Sequence, residues 1–123
     1  MTTRAKTDKA DLFRAAWEMF FRTLELPIDK VELHEEYNFD FAYGRKHRFD
    51  FASPSALVAV EIEGNAWHVK GGGKHMQDGD LEKYNIAAWM GWRVFRYSPS
   101  MIKANPLGCA KQVYEAIINE GLR

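Results

Sequence analysis

The chain has a single cysteine, no long apolar run and no net charge, and each absence excludes something. Cys109 has no second cysteine to pair with, so an intramolecular disulfide is excluded and a reducing compartment is expected. No apolar run approaches the roughly 20 residues that span a bilayer. The basic N-terminus is not followed by an apolar stretch, so no secretory signal is expected, and the chain reads as cytoplasmic with no membrane partner. Seventeen Lys and Arg balance seventeen Asp and Glu, which argues against a polycationic protein that coats nucleic acid by charge alone. The balance still permits an acidic cluster with separate basic groups, because the two cancel in the total.

What is present is aromatic and apolar. Eight Phe, five Tyr and four Trp, with 46% hydrophobic residues in 123, supply one core but not two. One domain over residues 1–123 is expected, with a flexible tail over 1–6. Between Asp8 and Leu24, Leu12, Phe13, Ala16, Trp17, Phe20, Phe21 and Leu24 recur at helical spacing. Thr7 or Asp8 would cap this helix and Pro27 ends its pattern. The pattern then changes to alternation. Tyr37, Phe39 and Phe41 share one side of an extended segment, and His47, Phe49 and Phe51 share one side of the next, after a turn at Tyr43-Gly44-Arg45. Ser53-Pro54-Ser55 turns into the apolar run from Leu57 to Gly64. A glycine connector at 71–73 precedes a helix from Asp78 to Met90, stopped by Gly91. A strand over Trp92 to Tyr97 is broken by Ser98-Pro99, and a last amphipathic helix runs from about Leu107 to Asn119. The fold class is α/β, a mixed sheet of about four strands flanked by helices in the order α-β-β-β-α-β-α. The first helix is expected on one face of the sheet and the Asp78 to Met90 helix on the other.

Glu61 and Glu63 stand two apart in the third strand and so point the same way, with Ala59. Asp50 alternates out of phase with Phe49 and Phe51, and a hairpin through Ser53-Pro54-Ser55 would bring it opposite the Glu pair. A solvated sheet face explains any one alternating glutamate. Three carboxylates at the ends of two buried-type strands repel one another, which makes a divalent cation their natural companion, and oxygen ligands point to Mg²⁺ or Mn²⁺. Basic residues flank the acids on both sides. Arg45, Lys46 and Arg48 crowd the turn before Asp50, while Lys70 and Lys74 surround the glycines after Glu63. Both clusters are candidates for holding a nucleic-acid backbone.

The run RFDFASPSALVAVEIEG, followed by a histidine-containing glycine loop and then DLEKYNIAAWMGWRVFRYSP, resembles the PD-(D/E)XK nuclease superfamily. It looks most like the small phage and bacterial endonucleases related to very-short-patch repair enzymes and Holliday junction resolvases. The resemblance implies a restriction-endonuclease-like core and a metal held by Asp50, Glu61 and the main-chain carbonyl of Ile62. It also implies a bacterial or phage-infected host cell. The third motif position, commonly Lys, is Glu63 here. Lys83, three and four residues before Ile86 and Ala87, is a candidate substitute whose ammonium could reach the site, and Glu63 as general base is the other. His68 and His75, across three glycines, form a poor zinc pattern. The run Gly64-Asn65-Ala66-Trp67-His68 is similar to a segment of the very-short-patch enzymes, which implies His68 or His75 as proton donor to the leaving oxygen. An acid from the N-terminal part often completes the family's site, and Glu18 and Glu36 are the candidates.

The expected activity is hydrolysis of a DNA phosphodiester. A chain this short has little surface for reading bases, so the expected substrate is branched DNA, resolved by a homodimer with two active sites. Trp89, Met90 and Trp92 are the apolar surplus expected to close that dimer. Two alternatives stand beside this reading: a monomeric mismatch or nicking endonuclease, and a nuclease-derived DNA-binding module without catalysis.

Overall fold

The computed structural model describes residues 5–64 and 78–119. Four strands lie side by side in chain order: β1 (His34–Asn38), β2 (Arg48–Ser53), β3 (Val58–Ile62) and β4 (Arg93–Tyr97). The first three run antiparallel to their neighbours, and β4 joins β3 in parallel. The parallel pair is connected through α2 (Asp78–Met90), because strands running the same way need a long return. Helix α1 spans Ala5–Thr23, three residues earlier than its sequence pattern suggested, so Thr7 and Asp8 lie inside it. The mixed four-stranded α/β architecture matches the sequence expectation. Among the described residues no helix is long and apolar enough to cross a membrane.

The order differs at the C-terminal end, where two helices, α3 (Pro99–Ala104) and α4 (Pro106–Ile118), stand in place of one. Ser98 caps α3 by accepting from Met101 N, Asn105 caps α4 by accepting from Gly108 N, and a proline follows each cap. Proline fits the first helical position because its missing N–H would be unsatisfied there anyway. Ser98-Pro99 therefore starts a helix, where the sequence reading made it only a break.

Two apolar layers cover the two faces of the sheet. On one, Phe13, Trp17, Phe20 and Phe21 of α1 pack with Phe51, Val58, Val60 and Ile62 and with Val113 and Ile117 of α4. On the other, Phe39, Phe49, Ala52 and Ala59 meet Ala87 of α2 and Trp92. Gly91, at φ 92°, ends α2 in the left-handed region that glycine adopts without a Cβ clash, so that Trp92 turns back into the second layer. Phe51 is 1% exposed, with its ring 5.0 Å from that of Phe13. Phe51→Ala is expected to cost about 3–5 kcal/mol, the range for truncating a buried Phe, read as a lowered denaturant midpoint with unchanged slope.

Two expectations about the aromatics are corrected. Phe49 and Phe51 lie in opposite layers rather than on one side. The β1–β2 register pairs Glu35 with Phe51 and Tyr37 with Phe49 but skips Glu36 and Asp50. Glu36 takes a left-handed φ of 52°, and the alternation changes sides at that point. Phe41 is not in a strand: β1 stops at Asn38, and Phe41 lies in a short 3-10 turn, 78% exposed. That turn winds around Asp40, whose fully buried carboxylate accepts from His47 Nδ1 (2.6 Å), His47 N (3.1 Å) and Asn38 Nδ2 (3.1 Å).

Candidate functional site

The change of side in β1 and β2 falls at Asp50, and it has a chemical consequence. The β2–β3 ladder pairs Ser53 with Val58, Ala52 with Ala59 and Phe51 with Val60, then stops. Beyond it, side chains take over from backbone. Asp50 Oδ2 accepts from Ile62 N at 2.7 Å, and Asp50 N donates to Glu61 Oε2 at 3.1 Å. Parting strands leave backbone groups that need partners, and the two carboxylates supply them, each bonded to the other strand. Asp50 and Glu61 are thereby fixed side by side where the sheet opens.

Helix α2 brings cationic and phenolic groups to the same place. Lys83 Nζ donates to Glu61 Oε1 at 2.8 Å and Tyr84 Oη to the same oxygen at 2.9 Å. The Lys83 and Glu61 side chains are 14% and 12% exposed. Lys83 Nζ also lies 5.6 Å from the Phe49 ring centre and 5.3 Å from that of Tyr84, within reach for cation–π attraction. Glu63 is held by Arg96 Nε at 2.7 Å, and the Arg96 guanidinium lies 4.4 Å over the Tyr84 ring. In the parallel register Arg96 stands opposite Glu61.

Burial and the neighbouring Glu61 push the Asp50 carboxyl above its ordinary value. The Ile62 N–H bond, Lys9 and Lys83 oppose the rise without cancelling it. Tyr84 is pushed well above the ordinary phenol range by burial and Glu61, so its hydroxyl remains a donor to that carboxylate. A carboxyl biased toward its neutral form beside a second carboxylate is what a nearby cation would reverse.

Comparison of the chain with models of known protein families, with curated proteins and with solved structures finds no match. The site therefore stands on its own geometry.

Asp50, Glu61 and Lys83, three of the residues singled out by sequence, meet in one cluster. Glu63 adjoins it through Arg96 and Tyr84 rather than touching Asp50. Glu36 sits beside Asp50 in the strand order, 3.8 Å from Arg48. Glu18 lines a cavity on the α1 side with Arg14, Trp17 and Glu35, and no described contact joins it to the carboxylates. Glu35 makes a two-point bond with Arg14 (2.7 and 2.5 Å) that ties β1 to α1. Of the basic candidates, Arg45 is bonded to Glu82 at 3.0–3.1 Å, and Lys46 and Arg48 are exposed. His68, Lys70, Lys74 and His75 lie outside the described residues. Among the described residues no group of three or more His, Cys, Asp or Glu side chains is placed to hold a metal. Mg²⁺ needs less than that, since it commonly uses one or two carboxylates and keeps several waters. Asp50 and Glu61 are two hard carboxylates of that kind, held side by side.

Tyr84 and Arg96 were not foreseen. The sequence did carry a signal for Tyr84: on a helix whose Lys83 reaches the site, the next residue is within reach of the same carboxylate. Arg96 could have been found only by assuming the parallel pairing of β4 with β3.

Proposed function

We propose that this protein is a Mg²⁺-dependent DNA endonuclease on a restriction-endonuclease-like core, acting on branched DNA. The observation that carries the reading is the Asp50 and Glu61 pair at the parting of β2 and β3, with Lys83 bonded to Glu61. Lys83 supplies the cation that the third motif position, Glu63, does not.

A divalent cation held by Asp50, Glu61 and the Ile62 carbonyl would supply an activated water and neutralise charge on the phosphate. Mn²⁺ offers the same oxygen-seeking chemistry. The chain's own groups do the rest. Lys83 and Tyr84 hold one oxygen of Glu61 and Asp50 N the other, so the carboxylate keeps a single orientation. Asp50, Glu61 and Glu63 are matched by Lys83, Arg96 and, near Asp50, Lys9, so a divalent cation gives the cluster a net positive charge, suited to a phosphodiester. Exposed Lys46 and Arg48 lie on the strand approach to Asp50, where they would draw the DNA backbone toward it. A cytoplasmic site of action in a bacterial or phage-infected cell belongs to the same proposal.

Paired cuts in opposed strands call for two copies related by a two-fold axis. Trp92 does not serve the interface, because it is 8% exposed in the second layer. Trp89 does: it is 74% exposed and its ring lies 5.4 Å from that of half-exposed Tyr43, the kind of uncovered aromatic surface that closes dimers. Sedimentation at micromolar concentration is expected to show a dimer that Trp89→Ala dissociates. Cleavage of a four-way junction in Mg²⁺, offered beside linear duplex of the same sequence, is expected to favour the junction. A strict monomer with no such preference would leave the nicking enzyme. Binding without any cleavage in Mg²⁺ or Mn²⁺ would leave the inactive module.

A further inference from the structure

Two cations adjoin Glu61, on α2 and on β4, and their surroundings assign them different work. Lys83 is almost covered, with its ammonium on Glu61 and within reach of two aromatic rings. It holds the carboxylate and has little exposed surface to offer a substrate. Arg96 is different. Its side chain is 37% exposed, on the edge strand of the sheet. Its Nε is engaged on Glu63, and its flat face rests on Tyr84. Among the described residues neither Nη makes a hydrogen bond, so the fork that matches phosphate oxygens is open.

Its position is set from three sides. The register places it opposite Glu61, Tyr84 joins it to Glu61 through one ring and one hydroxyl, and Glu63 holds the guanidinium in a single orientation. We infer that Arg96 is the phosphate-binding residue of this site, placing both Nη groups on the non-bridging oxygens of the phosphodiester beside Asp50 and Glu61. Glu63 and Tyr84 are positioning residues for it. Glu63, which breaks the motif where a lysine is usual, thus brings a cation to the site by ion pairing. The inference rests on the nuclease reading and adds to it the group that meets the substrate.

The test is DNA affinity across a salt series, measured by fluorescence anisotropy in Ca²⁺ with the full chain, for wild type, Arg96→Ala, Arg96→Gln and Arg96→Lys. Gln keeps a donor for Glu63 and part of the stem over Tyr84, so it guards against a loss of fold. Arg96→Ala and Arg96→Gln are expected to bind about 10- to 100-fold more weakly, as for a lost hydrogen bond to a charged group. The slope of log K against log salt should also shrink by about 0.9, one phosphate contact on duplex DNA. Arg96→Lys is expected to keep the slope but not the full affinity, because an ammonium neither forks nor stacks. A purely structural role would leave the slope unmoved. Wild type that cleaves, with Arg96→Ala and Arg96→Gln matching its affinity and slope, overturns this inference alone. Wild type that neither binds nor cleaves DNA overturns the nuclease reading with it.

Discussion

Asp50→Asn is expected to abolish Mg²⁺-dependent cleavage while leaving the protein folded and, in metal-free buffer near neutral pH, more stable than wild type. Loss of activity follows from removing a ligand charge at unchanged volume. Folding survives because an amide oxygen can still accept from Ile62 N, the bond that closes the parting strands. The gain in stability follows from the direction in which the carboxyl is shifted. Burial and Glu61 raise its pKa in the folded protein, so folding favours the protonated form. Below the unfolded value both states are protonated and nothing is lost. As pH rises from there through the folded value, wild type must ionise a group that the fold disfavours, and stability falls. Asparagine has no charge to form. Thermal melts of both proteins over a pH series without metal should therefore diverge as pH rises, with the variant above. Full cleavage by the variant would remove Asp50 from the site.

Lys83→Ala is expected to lower turnover by at least about 10²-fold, the lower range for losing a positioned charge or proton donor. Its ammonium bonds a Glu61 carboxylate that is itself 12% exposed. Removing one partner of a covered pair leaves the other charge without its counterion, so a stability loss of about 3 kcal/mol should accompany it. Lys83→Met, which keeps the stem near Phe49, separates packing from charge: the buried stem returns, while the counterion of Glu61 and turnover do not. Rates are to be compared well below each variant's melting temperature. A wild-type rate in the methionine variant would confine Lys83 to holding the fold.

The carboxylate pair was legible because the short Ser53-Pro54-Ser55 turn sets a register with Phe51 opposite Val60, which brings Asp50 to Glu61 even though the alternation around Asp50 does not hold. Lys83 was legible from helical spacing alone. The switch of layers between Phe49 and Phe51 was not, because it depends on the left-handed Glu36, and no local preference of glutamate announces that conformation. The helix at Pro99–Ala104 is within reach of the sequence, since Ser-Pro and Asn-Pro are cap and first-turn pairs, but a proline read only as a breaker hides it. Arg96 lay out of reach for a further reason: its meeting with Glu63 spans 33 residues and needs the crossover through α2. Trp89 and Trp92, three apart, part company because Gly91 turns the chain between them.

The most direct test of the central claim is nicking of supercoiled plasmid by the wild-type chain in Mg²⁺, after chelation, and after Mg²⁺ is restored, with Asp50→Asn and Glu61→Gln run alongside. Cleavage that disappears with chelation, returns with the metal and is missing from both variants is the predicted result. Cleavage that persists in chelator, or in either variant at the wild-type rate, would contradict a metal-dependent centre at Asp50 and Glu61.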